Sequence, residues 1–181
     1  MVGIIHEGKT DKEFFTTLLE TYNLPDTQND IKYYNFEGIN NIFNINHSYY
    51  DEIEKDNILS SILIVIDADK KHDEYDAKLN ELIKDLSFNS IEVDYYIMCD
   101  DDKKGNLESF LLSILDDEQK LCIKHFRECY KYDLSDKWAY NTFYKQKKHP
   151  FDFNHPNFDE LKQKLQNLFN EGTIDDNTTS D

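Results

Sequence analysis

The sequence predicts an α/β fold: a mainly parallel, Rossmann-like sheet of four strands flanked by helices, with a helical C-terminal extension. Three observations predict it. Short apolar runs alternate with stretches of helical periodicity through roughly the first 100 residues. The run Ile62-Leu-Ile-Val-Ile66 is apolar at every position, as in a strand buried on both faces of a parallel sheet. From Asn106 onward the pattern is helical only. Consecutive parallel strands need crossovers, and these are expected to be right-handed.

Val2-Gly-Ile-Ile-His6 is the first strand, ending at Glu7-Gly8-Lys9. Thr10-Asp-Lys-Glu13 matches a capping box, and Phe14, Phe15, Leu18, Leu19 and Tyr22 follow at helical spacing. Pro25 closes that region, and Ile31 to Phe36 is the second strand. Gly38 opens a weaker helical pattern through Ile39, Ile42, Phe43, Tyr50 and Ile53. Ser61 to Ile66 is the third strand, running into Asp67-Ala68-Asp69. Tyr75, Leu79, Leu82, Ile83 and Leu86 mark an amphipathic helix. Ile91 to Met98 is the fourth strand, followed by a charged loop from Asp100 to Gly105. Helices are then expected at Leu107–Leu115, Glu118–Tyr130, Asp136–Lys145 and Phe158–Phe169, the last opened by the capping signature Asn157-Phe-Asp-Glu160. This organises the chain into an α/β core over 1–105, a helical extension packed on it over 106–170, and a flexible acidic tail over 171–181. No internal repeat is found.

Composition narrows the function classes. The 181 residues carry 37 Asp and Glu against 20 Lys and Arg, a formal net charge of -17. Affinity for a phosphate backbone comes largely from Lys and Arg, so a whole-surface nucleic-acid binder is excluded. Nucleic acid could be held only through a local basic patch or a bound metal. No apolar run approaches the ~20 residues of a membrane helix, and the first residues show no secretory signal. A soluble, cytoplasmic protein is expected. The three cysteines, Cys99, Cys122 and Cys129, form no disulfide framework, and Cys122 and Cys129, seven apart in a helical pattern, are expected in the core.

The chemistry concentrates where strands end. In open parallel sheets ligands bind beyond the carboxyl ends of the strands. The first strand delivers Glu7, followed by Gly8; the third delivers Asp67 and Asp69. Three carboxylates gathered there would repel one another, and a Mg²⁺ or Mn²⁺ ion, which prefers hard oxygen ligands, relieves that repulsion. Lys9, Lys70, Lys71, Lys103 and Lys104 fall in the loops at the same rim. They are candidate phosphate contacts, or ordinary solubilising lysines.

This arrangement resembles the Toprim domain of topoisomerases, DnaG-type primases, OLD-family nucleases and small ribosomal-RNA maturases. The residues that carry the resemblance are Glu7-Gly8, within HEGKTD, and Asp67-Ala-Asp69, within ILIVIDADK. Beyond residue 100, Gly105-Asn-Leu-Glu108 and Phe151-Asp-Phe…Pro156…Phe158 resemble small stand-alone Toprim-like proteins. The resemblance implies Glu7 as general acid or base, or metal ligand, and Asp67 and Asp69 as Mg²⁺ ligands. With no CxxC zinc motif and no partner domain carrying a topoisomerase tyrosine, it points to the nuclease branch, with water as nucleophile. The expected function is Mg²⁺-dependent phosphodiester hydrolysis of DNA or RNA, with Glu7, Lys9, Asp67 and Asp69 catalytic. Lys70, Lys71, Lys103 and Lys104 would contact the nucleic acid.

Two other readings stand beside it. One is a non-catalytic metal-binding regulatory or interaction module, with a protein partner or a second copy docking on the acidic surface. The other is a P-loop nucleotide-binding protein, because Gly3-Ile-Ile-His-Glu-Gly8-Lys9-Thr10 satisfies G-x-x-x-x-G-K-T. Against the latter, Ile4 and Ile5 read as strand, and Glu7 would carry negative charge into an anion nest.

Several residues admit two roles. Asp11 either joins the acidic cluster or complements the helix dipole. Glu108 is either a further metal ligand or a helix N-terminal charge. Asp100, Asp101 and Asp102 are expected as a solvated loop, with one of them able to reach the metal, and His6 as a packed strand residue. Trp138, Tyr140, Phe143 and Tyr144 form an aromatic cluster that serves either core packing or base stacking.

Overall fold

The structure, a computed structural model, describes residues 1–8, 11–27, 29–86, 88, 90–100, 102–130, 135–143 and 151–170. Lys9, Thr10, Asp101, Tyr144 and the expected tail therefore lie outside the described residues. The element order is β1 (Val2–His6), α1 (Asp11–Thr21), β2 (Ile31–Asn35), α2 (Ile39–Ile42), α3 (Ser48–Glu54), β3 (Ser61–Asp67), α4 (His72–Leu86) and β4 (Glu92–Met98). It continues with α5 (Leu107–Ser113), α6 (Asp117–Tyr130), α7 (Asp136–Phe143), a 3₁₀ turn at Pro156–Phe158, and α8 (Asp159–Asn170). Two compact units result. The first holds Met1–Ile66, Asp73–Ile97 and the chain from Asp159 on; the second holds Asp67–His72 and Met98–Phe158.

The first unit contains the sheet, in the order β2-β1-β3-β4. β1 pairs in parallel with β2, from Val2 opposite Ile31 to His6 opposite Asn35. It pairs in parallel with β3, from Val2 opposite Ser61 to Ile5 opposite Ile64. β4 runs the same way along β3, because Glu92 N–H donates to Ser60 O near the start and Ala68 N–H to Met98 O near the end. The two central strands are apolar on both faces and buried, with Ile4, Ile5, Leu63 and Ile64 sealed from solvent. The first half of β4 alternates between covered and exposed, as expected of an edge strand. In α1 the apolar residues predicted at helical spacing, Phe14, Phe15, Leu18 and Leu19, are all buried, each burial stabilising by ~1.5–3 kcal/mol.

The predicted α/β class is what forms, and the sheet is wholly parallel. The grouping of the last helix differs from the expected division after residue 105. α8 belongs with the sheet: Leu161, Leu165 and Leu168 are buried, Ser61 Oγ donates to Leu168 O at 2.7 Å, and Lys164 pairs with Asp94 at 2.8 Å. An amphipathic helix must bury its apolar stripe somewhere, and sequence distance does not restrict where. The cysteine expectation is corrected. Cys122 and Cys129 are exposed, because α6 buries only Ile123 and the two thiols ride on its other faces. Among the described residues no helix is long and apolar enough to cross a membrane.

The direction of chain progress across the sheet reverses between β1 and β3. From β1 the chain crosses to β2 on one side; from β3 it crosses to β4 on the other. In open parallel sheets such a reversal opens a crevice outside the carboxyl ends of the two strands. The strands concerned are β1 and β3.

Candidate functional site

At the end of β1 the turn carrying Glu7 is pinned on both sides. The His6 ring is buried, and its Nδ1 lies 2.8 Å from Gly8 O, so Nδ1–H is the donor. Gly8 N–H in turn donates to Asp11 Oδ2 at 2.9 Å. A Cβ at Gly8 would stand 3.2 Å from Asp11 Oδ1, so a side chain there would crowd the carboxylate that caps the turn. Asp11 is thereby assigned a turn-holding role. It also sits 3.8 Å from His6 Nδ1.

Burial lowers the His6 pKa below the ordinary 6.5, outweighing the nearby Asp11 carboxylate and the Gly8 carbonyl, which pull it upward. As pH falls through 6.5 the unfolded chain takes up the proton first. The contribution of His6 to stability is therefore complete above its unfolded value and is lost on acidification. The thermal midpoint should fall between about pH 7.5 and 5.5, and His6→Asn should flatten that dependence. Scanning calorimetry across this range checks it.

At the end of β3, in the second unit, Asp67 Oδ1 accepts the N–H of Leu107, the first residue of α5, at 3.0 Å. A carboxylate suits that place, because the first turn of a helix presents unpaired N–H groups. Asp69 adopts a left-handed backbone (φ 51°), a conformation Asp tolerates better than most residues. It exchanges two backbone hydrogen bonds with Gly105, at 2.7 and 2.6 Å. This two-bond bridge ties the loop after β3 to the loop after β4. Asn106 then caps α5: Ser109 N–H donates to Asn106 Oδ1, and Asn106 N–H donates to Ser109 Oγ.

Gly105 has no alternative at this junction. Its φ is 98°, and an added Cβ would lie 2.0 Å from Ser109 Oγ. Gly105→Ala should cost more than about 1 kcal/mol, and urea unfolding measures it.

Around the bridge lies a cleft of about 520 Å³ whose walls include Asp69, Lys70, Lys71, Asp100, Lys104 and Asp136. Of the expected residues, the fold brings Asp69, Lys70, Lys71 and Lys104 into these walls. Lys103 is exposed and does not line them. Glu108 is buried in α5, with Oε1 4.0 Å from Lys137 Nζ, and is not a cleft residue either. Asp100, expected in a solvated loop, is half-buried instead. Its Oδ1 accepts the N–H groups of Asp102 and Lys104, closing the turn that sets Lys104 in the wall. Asp136 is the acid in these walls that sequence reasoning missed, and no sequence signal marked it.

Among the described residues no three His, Cys, Asp or Glu are grouped so as to hold a metal ion, so the expected gathering of three carboxylates is not found there. The donors present still fit Mg²⁺, which binds through one or two carboxylates, keeps several waters and takes further oxygens from substrate phosphates. Asp67 and Asp69 are hard-oxygen donors two residues apart, and of the two Asp69 lines the cleft. For the P-loop alternative, Gly3, Ile4 and Ile5 are strand residues paired on both sides, so they do not form a phosphate-wrapping loop.

The fold and cleft define a class: a parallel α/β protein with acids and lysines on the loops beyond its strand ends. A family model described as "Protein of unknown function (DUF3226)" matches residues 3–150, and the chain belongs to that family. No curated protein and no solved structure matches it.

Proposed function

We propose that this protein is a Toprim-type, Mg²⁺- or Mn²⁺-dependent phosphodiesterase that hydrolyses nucleic acid in the cytoplasm. The observation that carries the reading is the cleft at the Asp69–Gly105 bridge. In a chain with a net charge of -17, it gathers Lys70, Lys71 and Lys104 beside Asp69 and Asp100. Mixed charge of this kind suits a phosphate and a hard cation together. Lys70, Lys71 and Lys104 take the phosphate oxygens and offset charge that develops there. Asp67 and Asp69 hold the cation, which supplies Lewis acidity toward a phosphoryl oxygen and makes a water easier to deprotonate. Glu7, on its pinned turn, moves the proton. Lys9 is a further phosphate contact in this reading.

A second reading, a metal-binding module without turnover, is favoured by one observation: the net charge of -17, which suits docking to a basic partner protein. Incubating the purified protein with labelled single- and double-stranded DNA and RNA, with Mg²⁺, Mn²⁺ or EDTA, separates the two. Metal-dependent cleavage supports hydrolysis. Metal binding in a calorimeter with no cleavage of any substrate supports the module.

A further inference from the structure

The second unit carries a further cleft, of about 300 Å³, that the proposed hydrolysis does not use. It lies between α5, α6 and α7, with Leu112, Lys120, Ile123, Lys124, Arg127 and Asp136 in its walls. Part of the lining is apolar and buried: Leu112 is 8% exposed and Ile123 7%. Ile123 is the one residue that α6 buries. The three cations stand at i, i+4 and i+7 on α6, so they form one stripe of that helix, beside Ile123. A chain with a net charge of -17 needs no cations for solubility, so a stripe of three along one cleft calls for another reason.

The protein's own acids leave these cations with donor capacity. Arg127 Nη2 donates to Asp136 Oδ1 at 2.6 Å, which ties α6 to α7, and Arg127 Nε–H has no acceptor among the described residues. One oxygen does not use up the five donors of a guanidinium. Lys124 Nζ stands 4.0 Å from Glu128 Oε1, which also lines the cleft, and both side chains are more than half exposed, so that pair contributes little. Lys120 forms no ion pair among the described residues.

We infer that this cleft is a binding site for a small amphipathic anion, a carboxylate on a short aliphatic chain. The chain lies against Leu112 and Ile123, and the carboxylate takes the donors of Lys120, Lys124 and Arg127. Helix-lined sites of this kind combine an apolar lining with a few polar groups that fix the ligand, and a volume near 300 Å³ is at the small end of their range. An inorganic anion gains nothing from the apolar lining, and an uncharged or cationic amphiphile gains nothing from the lysines. The inference is independent of the proposed hydrolysis, whose residues line the other cleft.

The experiment records amide proton–nitrogen correlation spectra of the full chain during titration with butanoate, hexanoate, octanoate, octanol, octylammonium and inorganic phosphate. Octanoate should shift the amides of Leu112, Ile123 and Lys124 to saturation, with a dissociation constant on the order of 1 mM. Affinity should rise along the carboxylate series by up to roughly fourfold per methylene. Octanol, which lacks the charge, should bind roughly tenfold more weakly or not at all. Lys120 and Lys124 are exposed, so the double variant Lys120→Gln/Lys124→Gln should keep the fold while octanoate binds it no better than octanol. The inference is overturned if octanoate gives no saturable shifts at these amides, or if octanol, octylammonium or phosphate binds there as tightly. Binding of octanoate to the double variant as to the parent overturns it as well, because the lysines then take no part.

Discussion

Asp67→Asn should lower metal-dependent cleavage by roughly a hundred- to a thousandfold while leaving the protein folded. In the proposed hydrolysis two roles meet at this side chain, and the substitution separates them. Asp67 Oδ1 accepts the Leu107 N–H at the start of α5. Asn keeps an oxygen acceptor of the same reach, so the helix start is preserved. What it loses is the negative charge that a hard cation requires. Asp67→Ala removes both, and should add a stability loss of about 1 kcal/mol to the loss of activity. If the deficit in Asp67→Asn arises from weaker metal binding, raising Mg²⁺ recovers part of the rate. Glu7→Gln should cost roughly 10²- to 10⁴-fold with no such recovery, since it removes a proton carrier. Cleavage rates across a Mg²⁺ series measure both, and cleavage undiminished in either variant refutes the site assignment.

Phe110→Ala should destabilise the second unit by about 3–5 kcal/mol. Phe110 is 1% exposed and meets Phe158 edge-to-face at 5.0 Å, within the buried side of α5 that also holds Leu107, Leu111 and Leu112. Truncation leaves a cavity the size of a ring, lined by groups that cannot all move in. The effect reaches the cleft, because α5 begins at the Asn106 cap directly after the Asp69–Gly105 bridge. Trp138 belongs to the same unit. Urea unfolding followed by its fluorescence should show the midpoint fall, and loss of cleavage should follow that curve.

Much of the fold was legible because it is written locally. The apolar run of β3 needs no partner to be recognised, and the spacing of Phe14, Phe15, Leu18 and Leu19 marks the buried face of α1. The Glu7-Gly8 turn was also legible in part: a glycine after a strand marks a turn. That Asp11 reaches back to Gly8 N–H, and that burial suppresses the charge on His6, follows from packing that periodicity does not describe. Asp100 was misread because an acidic run normally signals solvent, whereas here its carboxylate closes a turn on two backbone N–H groups. Cys122 and Cys129 were misread for the opposite reason: seven-residue spacing sets two residues on one helix face without saying which way that face looks.

The sequence by itself determined the alternation of strands and helices, the parallel class of the sheet, and the placing of Glu7, Asp67 and Asp69 where strands end. These follow from side-chain periodicity and turn chemistry acting over a few residues. The tertiary structure alone decided the strand order, the docking of α8 beside β3, the bridge from Asp69 to Gly105, the lysine-lined cleft, and the stacking of Phe126, Tyr130 and Trp138 on one another. Each of these depends on residues distant in the chain meeting in space, and such meetings are selected by burial of the whole apolar surface rather than by any local pattern.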